Sequence, residues 1–398
     1  MGEAAGKGKE RWPQVRLGDY IQQVRGVSYT PPDVSDTLKK GFVPLFRAHN
    51  IQDDGLNFED LVYVNKKKIS KTQMIQAGDI LVCASSGSKN LVGKTAQAQI
   101  DYEMSFGAFC KVVRVCNDNL DPIFLGHYFK TPKYRQMISG LSSGANINNI
   151  RNEHVTNMKI PLPPLPEQRR IAAVLDQVSS LIALRKAQLA KLDLLVKARF
   201  VEMCDSTGET TSLSYYIRSL VAGKSLVGKT TSINKVLKTG AVTYDYFDAT
   251  QIKNLPSEYE PQPEHLVRVN DVSISRMNTS ELVGAAGYVW RVPNNIYLPD
   301  RLWRVEPMDH TNPLFLWHLL IQQSTKNSIK KIASGTSGSM KNISKSGLLG
   351  IKVKKVDLET QNNFAKFAKQ TNKSKVEIQQ GLIQLETLKK SLMQEYFG

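Results

Sequence analysis

The sequence is poor in cysteine and contains no long apolar run. Its four cysteines, Cys83, Cys110, Cys116 and Cys204, include no CxxC pair, and no histidine lies at the spacing of a zinc ligand. This pattern argues against a disulfide framework or a zinc site and predicts small buried apolar residues. No stretch has the length of a membrane span, and the first ten residues lack the apolar segment of a signal peptide, so we expect a cytoplasmic protein that does not enter membranes.

Acidic residues are in the minority. Asp and Glu together number 36 against 53 Lys and Arg, which gives a formal net charge of +17. Such a field attracts polyanions and makes nucleic acid the first partner to consider. A merely basic soluble protein is the alternative, because charge alone does not separate the two.

Motifs for methyl transfer and metal-dependent cleavage are missing as well. Amino-methyltransferases place Asn or Asp before Pro-Pro and an aromatic residue that stacks on the flipped base, whereas the nearest strings here are TPPD and LPPL. No acidic cluster is arranged for a two-metal nuclease. We therefore expect this chain to be non-catalytic.

One nucleotide-binding pattern does occur. GKSLVGKT, from Gly223 to Thr230, matches the GxxxxGK[ST] loop that normally cradles phosphates between a strand and a helix. No convincing apolar strand ending in a magnesium-binding Asp follows it. A P-loop NTPase is thus an alternative function from a different class, and Lys224 and Lys229 suit DNA phosphates equally well.

The sequence contains an internal duplication with a period of about half its length. Asp79 pairs with Asp271, and Gly93 pairs with Gly284. Chance does not produce a collinear series of such matches, so two copies of one mixed α and β domain are predicted. The matching segments, in chain order, are GDILVCASSG with NDVSISRMN, LVGK with LVGA, DPIFLGHYF with NPLFLWHLL, SSGANINNI with SGSMKNI, and IPLPPLPEQ with VKKVDLETQ.

Each copy ends in a pattern typical of a long helix. Residues 167–203 and 360–396 carry apolar residues at alternating spacings of four and three, which is a heptad seam. A helix of about 36 residues is roughly 54 Å long. It therefore needs a partner helix, and the only comparable one is its own repeat. A shorter helix is expected around residues 122–137.

Connectivity predicts how the two long helices pair. The first must lead from the first domain to the second, and the second can only run back along it, so the pair is antiparallel. The fold class is therefore α+β: two similar recognition domains separated by an antiparallel coiled-coil pair, with an internal pseudo-two-fold repeat. Duplex DNA has two-folds of the same kind, and such a spacer spans roughly 16 base pairs.

The sequence resembles the specificity subunits of type I restriction-modification systems. The residues that carry the resemblance are GDILVCASSG, SSGANINNI and, above all, IPLPPLPEQRRIAAVLDQ (residues 160–177), which opens the family's first conserved helical region. The second copy departs from the pattern, because VKKVDLETQ lacks the prolines. The resemblance covers nearly the whole chain beyond the first ten residues.

The resemblance implies a non-catalytic subunit that recognises a bipartite, asymmetric site in double-stranded DNA and serves in phage defence. It implies two methyltransferase subunits and motor-nuclease subunits as partners; S-adenosylmethionine, Mg²⁺ and ATP are expected only in those partners, and no cofactor in this chain. Two alternatives are a subunit serving a fused methyltransferase-nuclease and a coiled-coil adaptor that never touches bases.

The predicted domains follow from the repeat. They are a disordered tail at 1–10, target-recognition domain 1 at 11–160, a helical region at 161–203, target-recognition domain 2 at 204–355 and a second helical region at 356–398.

Candidate DNA-contacting residues are small polar, amide or cationic side chains in loops that follow strands. Arg reads guanine and Asn reads adenine, whereas Ser and Lys suit phosphates. Ordinary solvated loops are the alternative for every one of them. The candidates are Arg47, His49, Asn50, Ser85, Ser86, Ser88, Lys89, Lys94, Asn146, Asn148, Lys224, Lys229, Arg276, Asn278, Ser337, Ser339 and Lys341. Candidate partner-binding residues on the helices are Arg169, Arg170, Leu175, Ile182, Leu189, Leu382 and Leu385.

Overall fold

The chain folds into two compact units. The computed structural model describes residues 12–87, 91–141, 149–205, 208–337 and 340–398. Unit 1 comprises the described residues up to Lys186 together with Gln380–Gly398, and unit 2 comprises Ala187–Gln379. Each unit therefore contains a portion of both long helices.

Unit 1 is a mixed α and β structure. Its strands are β1 (Gln14–Arg16), β2 (Ile21–Arg25), β3 (Val34–Ser35), β4 (Phe42–Phe46), β5 (Ile51–Gln52), β6 (Gly55–Leu56), β7 (Val62–Asn65), β8 (Ile80–Cys83), β9 (Thr95–Gln97), β10 (Ser105–Phe106), β11 (Cys110–Val115) and β12 (Lys159–Pro161). Its helices are α1 (Pro122–Tyr128), α2 (Pro132–Leu141), α3 (Asn152–Thr156) and the first part of α4 (Leu165–Asp205).

The central sheet of unit 1 is antiparallel, in the order β2-β11-β8-β9. Strand β8 is the uninterrupted apolar run ILVC because both faces of the sheet are covered. Its alternate residues Ile80 and Val82 join a core cluster that includes helix residues, whereas Leu81 and Cys83 join a second cluster on the opposite face. The sheet is therefore the middle layer of this unit.

Unit 2 has the same kinds of element. Its strands are β13 (Thr210–Ser212), β14 (Ile217–Ala222), β15 (Lys235–Leu237), β16 (Ile252–Asn254), β17 (Val272–Ser275), β18 (Met277–Asn278), β19 (Ala286–Tyr288), β20 (Ile296–Tyr297), β21 (Leu302–Pro307), β22 (Ser334–Ser337), β23 (Met340–Asn342) and β24 (Lys352–Lys354). Its helices are the last part of α4, α5 (Pro313–Ile321), α6 (Gln323–Ile332), α7 (Lys345–Leu349) and the first part of α8 (Leu358–Phe397), whose last part belongs to unit 1.

The predicted duplication is confirmed by the sheet topology. The central sheet of unit 2 has the order β14-β21-β17-β19, which is the order of unit 1 with each strand replaced by its repeat. The register also agrees, because Cys83 lies opposite Cys110 and Ser275 lies opposite Leu302. The two glycines that match in the sequence, Gly93 and Gly284, also have the same backbone conformation, with φ of 78° and 81°.

A buried glutamine fixes the start of each long helix. Gln168 accepts a hydrogen bond from the Asp121 backbone N–H at 2.8 Å and donates to the carbonyls of Asn119 and Pro163, both at 2.8 Å. Gln361 makes the corresponding set with the Asn312 N–H and two carbonyls. Both glutamines are completely buried. The amide thus ties the long helix to the first turn of α1 or α5.

The long helices begin and end within two residues of the predicted bounds. In unit 1 the Arg170 guanidinium lies 5.9 Å from the centre of the Tyr396 ring, and Lys186 pairs with Glu386 at 3.1 Å. In unit 2 Phe200 packs against Phe364 with ring centres 5.1 Å apart, and Asp193 pairs with Lys375. Within each unit, the residue numbers of the contacting partners increase along α4 as they decrease along α8. The two helix portions therefore run antiparallel within each unit.

Three details differ from expectation. The single helix expected around 122–137 is two helices, because Pro132 cannot continue α1 and Thr131 caps a new one by accepting the Tyr134 N–H. Cys116 is exposed, while the other three cysteines are buried. Helix α8 starts at Leu358 without the prolines of the first copy; the carboxylate of Asp357 accepts the Thr360 N–H instead.

Among the described residues, none of the helices is both long and apolar enough to cross a bilayer.

Candidate nucleic-acid interface

Three chain segments meet where β8 of unit 1 ends. The backbone N–H groups of Ala84 and Ser85 both donate to the carbonyl of Phe109, at 2.9 and 3.0 Å. The N–H of Ile150, which follows α2, donates to the carbonyl of Ala84 at 2.7 Å. We call this meeting point the junction of unit 1. It brings residues that are far apart in sequence to one edge of the central sheet.

Unit 2 repeats the junction with different side chains. The Arg276 N–H donates to the Arg301 carbonyl at 3.1 Å, and the Ile343 N–H donates to the Arg276 carbonyl at 2.9 Å. The hydrogen bonds therefore match Arg276 with Ala84 and Arg301 with Phe109. Asn278 and Lys341, both sequence candidates, lie directly opposite each other in the β18–β23 pair.

Arg276 is held rather than free. Its guanidinium lies 5.4 Å from the centre of the Trp303 ring, and its Nε is buried without a hydrogen-bond partner among the described residues. Stacking of this kind fixes the plane of a guanidinium and preorganises its remaining donors. The Asn278 side-chain oxygen accepts from the Thr279 N–H at 2.9 Å, which leaves its NH₂ group to act as a donor.

The residue that corresponds to Trp303 in unit 1 is Lys111, since each lies on the strand paired with β8 or β17 at the same register. The Lys111 ammonium donates to the side chains of Gln23 at 3.3 Å and Asn152 at 2.8 Å. Burial lowers the pKa of Lys111 to about 8. Next to the junction, unit 1 therefore has the Lys111 ammonium where unit 2 has the Trp303 indole.

The remaining first-domain candidates have varied surroundings. Ser85 forms an isolated bridge to Asn149, and Ser86 is half-buried. Lys94 lies 3.5 Å from the Asp53 carboxylate. The side chains of Ser88, Lys89, Asn146, Asn148, Ser337 and Ser339 lie outside the described residues.

The loop from Arg47 to Asn50 is organised from within. Asn50 is completely buried; its side-chain oxygen accepts the Arg47 N–H at 2.8 Å and its NH₂ donates to the Glu59 carbonyl at 2.7 Å. Arg47 donates to the Asp60 carbonyl at 2.7 Å, and His49 is exposed. The structure therefore gives Asn50 a structural role and leaves His49 as the accessible side chain of the three.

The P-loop alternative does not fit the structure. The GKSLVGKT segment follows β14 and leads to strand β15, so no helix begins behind it. A Cβ at Gly223 would lie 1.9 Å from the Leu298 carbonyl oxygen, and one at Gly228 would lie 2.4 Å from that of Leu255. These glycines permit close backbone packing, not phosphate binding. Both lysines of the segment, Lys224 and Lys229, are exposed. Among the other candidates of the second domain, the Lys341 ammonium donates to the Gly335 carbonyl.

The chain matches a known family over most of its length. The family described as the type I restriction modification DNA specificity domain matches residues 9–194 and again 224–387. The specificity subunit of the type I restriction enzyme EcoKI from Escherichia coli strain K12 is 30% identical over 84% of this chain and 76% of that protein. The chain belongs to this family.

Two further members show the extent of the likeness. The specificity subunit of StySPI from Salmonella potsdam is 35% identical over 56% of this chain, although the match spans only 47% of that protein. The solved S subunit of a type I system from M. genitalium superposes with a TM-score of 0.58 at 16% identity, covering 100% of this chain and 99% of that one. The fold and the resemblance predicted from sequence are thereby confirmed.

On the long helices of this family member, the predicted partner-binding residues fall into two groups. Leu175 and Leu382 are buried in the helix pairing, and Ile182, Leu189 and Leu385 are half-buried. Arg169 is exposed and lies 4.0 Å from Asp121, whereas Arg170 pairs with Glu167. Leu175 belongs to the core cluster of unit 1 that also contains Met393 and Phe397, so it stabilises the unit itself.

The large apolar side chains that the helices do expose were not chosen from the heptad pattern, because they lie off its seam. Those of unit 1 are Leu181, Leu184, Ile383 and Leu388, and those of unit 2 are Leu194, Leu195, Val201, Leu358 and Val376. Both units present such groups.

Proposed function

We propose that this chain is the non-catalytic DNA-specificity subunit of a type I restriction-modification complex. In this proposal unit 1 reads one half of a bipartite, asymmetric site in double-stranded DNA, and unit 2 reads the other. The proposed recognition domains are residues 11–160 and 204–355. The observation that supports the proposal best is the junction, which has the same backbone in both units but different side chains.

A shared backbone with different side chains has a direct consequence for recognition. The common hydrogen bonds place the residue after β8 or β17 in equivalent positions, so each unit presents its junction in the same way. Base readout depends on donors, acceptors and apolar groups at that surface. The Arg276 side chain carries donors that the Ala84 methyl group lacks, and the half-sites should therefore differ in sequence.

Methylome sequencing tests this function. Cells expressing the chain with its methyltransferase subunit should show a split, asymmetric methylated motif, with an unread spacer between the two parts. A single contiguous motif would contradict the proposal. Expression of the methyltransferase subunit without this chain serves as the control and should give no such motif.

We also propose that methyltransferase subunits bind the exposed apolar side chains of α4 and α8, and that motor-nuclease subunits join the assembly through them. Leu184 is 55% exposed in unit 1 and Leu194 is 64% exposed in unit 2. Glu at either position should reduce co-purification of the methyltransferase, because a carboxylate is costly to bury at such a contact. Gln177→Glu, at another exposed position of α4, changes the charge by the same amount and is the matched control. Unchanged subunit stoichiometry in native mass spectrometry of both leucine variants would contradict this docking surface.

A further inference from the structure

The turn that precedes β11 in unit 1 and β21 in unit 2 carries an exposed side chain at the junction. In unit 1 this residue is Phe109, immediately before β11, and its side chain is 68% exposed. In unit 2 it is Arg301, immediately before β21, and it is also exposed. Both are placed by a carbonyl that accepts the N–H of the first residue after β8 or β17.

Neither side chain has a role in holding its unit together. Phe109 belongs to neither of the core clusters that line the central sheet, although its neighbour Cys110 is buried in one of them. Arg301 makes no side-chain hydrogen bond or ion pair with any residue that the structure describes. An unpaired guanidinium and an uncovered aromatic ring at repeat-equivalent positions indicate a shared external contact.

We propose that Phe109 and Arg301 are specificity-determining residues, each contacting one base pair of its own half-site. This inference rests on the proposed DNA-recognition function. The Arg301 guanidinium is a planar donor that matches the O6 and N7 acceptors of guanine. The backbone carbonyl of Arg301 accepts the Arg276 N–H, which places the two residues side by side. Phe109 offers no donor or acceptor and fits the methyl group of thymine.

The chemistry predicts what each position selects. The second half-site contains a G·C pair facing Arg301, and the first contains a T·A pair facing Phe109. The Ala84–Phe109 and Arg276–Arg301 backbone hydrogen bonds are equivalent, so we expect the difference in base to follow from the side chain. The Phe109 side chain has no hydrogen-bond donor, so it cannot make the phosphate contact that an arginine can make at the equivalent position.

The test uses the complete complex of this chain with its methyltransferase, on duplexes bearing the motif found by methylome sequencing. Arg301→Ala should relax one base position of the second half-site and weaken binding to the intact site by about 5- to 150-fold, the range of a single base contact. Arg301→Lys should relax the same position, because an ammonium does not reproduce the bidentate geometry. Phe109→Ala should relax one position of the first half-site only.

Two exposed residues provide matched controls. Leu38 is as exposed as Phe109, and Arg291 is an exposed arginine of unit 2. Leu38→Ala and Arg291→Ala should leave the motif unchanged. Circular dichroism should show unaltered folding in all of these variants.

The outcomes separate the inference from the function on which it rests. A split motif that Phe109→Ala and Arg301→Ala leave intact would overturn the inference alone. Equal weakening of all duplexes by Arg301→Ala, with full retention by Arg301→Lys, would identify a phosphate contact and also overturn it. A contiguous motif from the unaltered chain would contradict the proposed function and this inference with it.

Discussion

Replacing Gln168 with Leu should loosen unit 1 specifically where α4 meets α1. The substitution keeps the approximate volume of the side chain and removes three hydrogen bonds of 2.8 Å each in a completely buried position. A net value of about 1 kcal/mol per bond gives a loss of about 3 kcal/mol, and the N–H and two carbonyls left without partners add to it. The corresponding Gln361→Leu should loosen unit 2 at the start of α5 by a similar amount.

Hydrogen exchange measured by mass spectrometry can assign each loss to its unit. About 3 kcal/mol corresponds to a rise of roughly 100-fold in the exchange rate of amides that exchange through this opening. The peptide covering residues 119–129 should respond to Gln168→Leu, and the peptide covering 310–321 should respond to Gln361→Leu. Gln177→Leu changes an exposed glutamine of the same helix and should alter neither peptide.

The reasoning fails if Gln168→Leu exchanges no faster than Gln177→Leu in residues 119–129. It also fails if each substitution accelerates both peptides equally, because the glutamines would then act on the stability of the whole chain.

Three further predictions concern single buried positions. Gly93→Ala and Gly284→Ala should each lower the free energy of unfolding by about 2 kcal/mol, because both glycines have positive φ and the new methyl groups would lie 2.5 and 2.3 Å from an isoleucine side chain. An unchanged melting temperature would contradict this. His318 is buried among aromatic rings and its pKa is lowered to about 3, so the unfolded chain takes up its proton first, and stability should fall by about 3 kcal/mol between pH 7 and 4.5. The His318→Phe variant should lack that part of the acid loss in chemical denaturation, and an identical profile would refute the assignment. Lys111 gives a dependence of the same sign at higher pH, since burial lowers its pKa to about 8 and the unfolded chain holds the proton up to its ordinary pKa near 10.5. Relative to Lys111→Met, the unaltered chain should therefore gain about 3 kcal/mol of stability as pH rises from 8 to 10.5, and a flat difference would count against it.

Residues that act through local pattern could be predicted from the sequence. The heptad seam located α4 and α8 to within two residues, because helix periodicity is written in consecutive turns. The repeated strings located the duplication, and Asp79 with Asp271 and Gly93 with Gly284 are equivalent in the sheets as they are in the strings. These features depend on neighbours in sequence.

The candidate site depends on contacts between distant segments, and here sequence reasoning was incomplete. Asn50 has the composition of a base-reading residue, yet the fold turns its amide inward to Arg47 and Glu59. Phe109 and Arg301 were not chosen at all, because nothing near them in sequence indicates a binding loop. The only signal was their equivalent position before the strand that pairs with β8 or β17, and that equivalence required the strand register.

The sequence by itself determined that this chain has two copies of one domain, each followed by a long helix, because repeats and periodicity are properties of a linear string. Only the tertiary structure decided which side chains share a surface. Backbone hydrogen bonds across strands join Ala84 to Phe109 and Arg276 to Arg301, and no local pattern encodes such pairings. The architecture could therefore be predicted from the sequence, whereas the residues that make up the two junctions could be identified only from the strand pairing in the sheets.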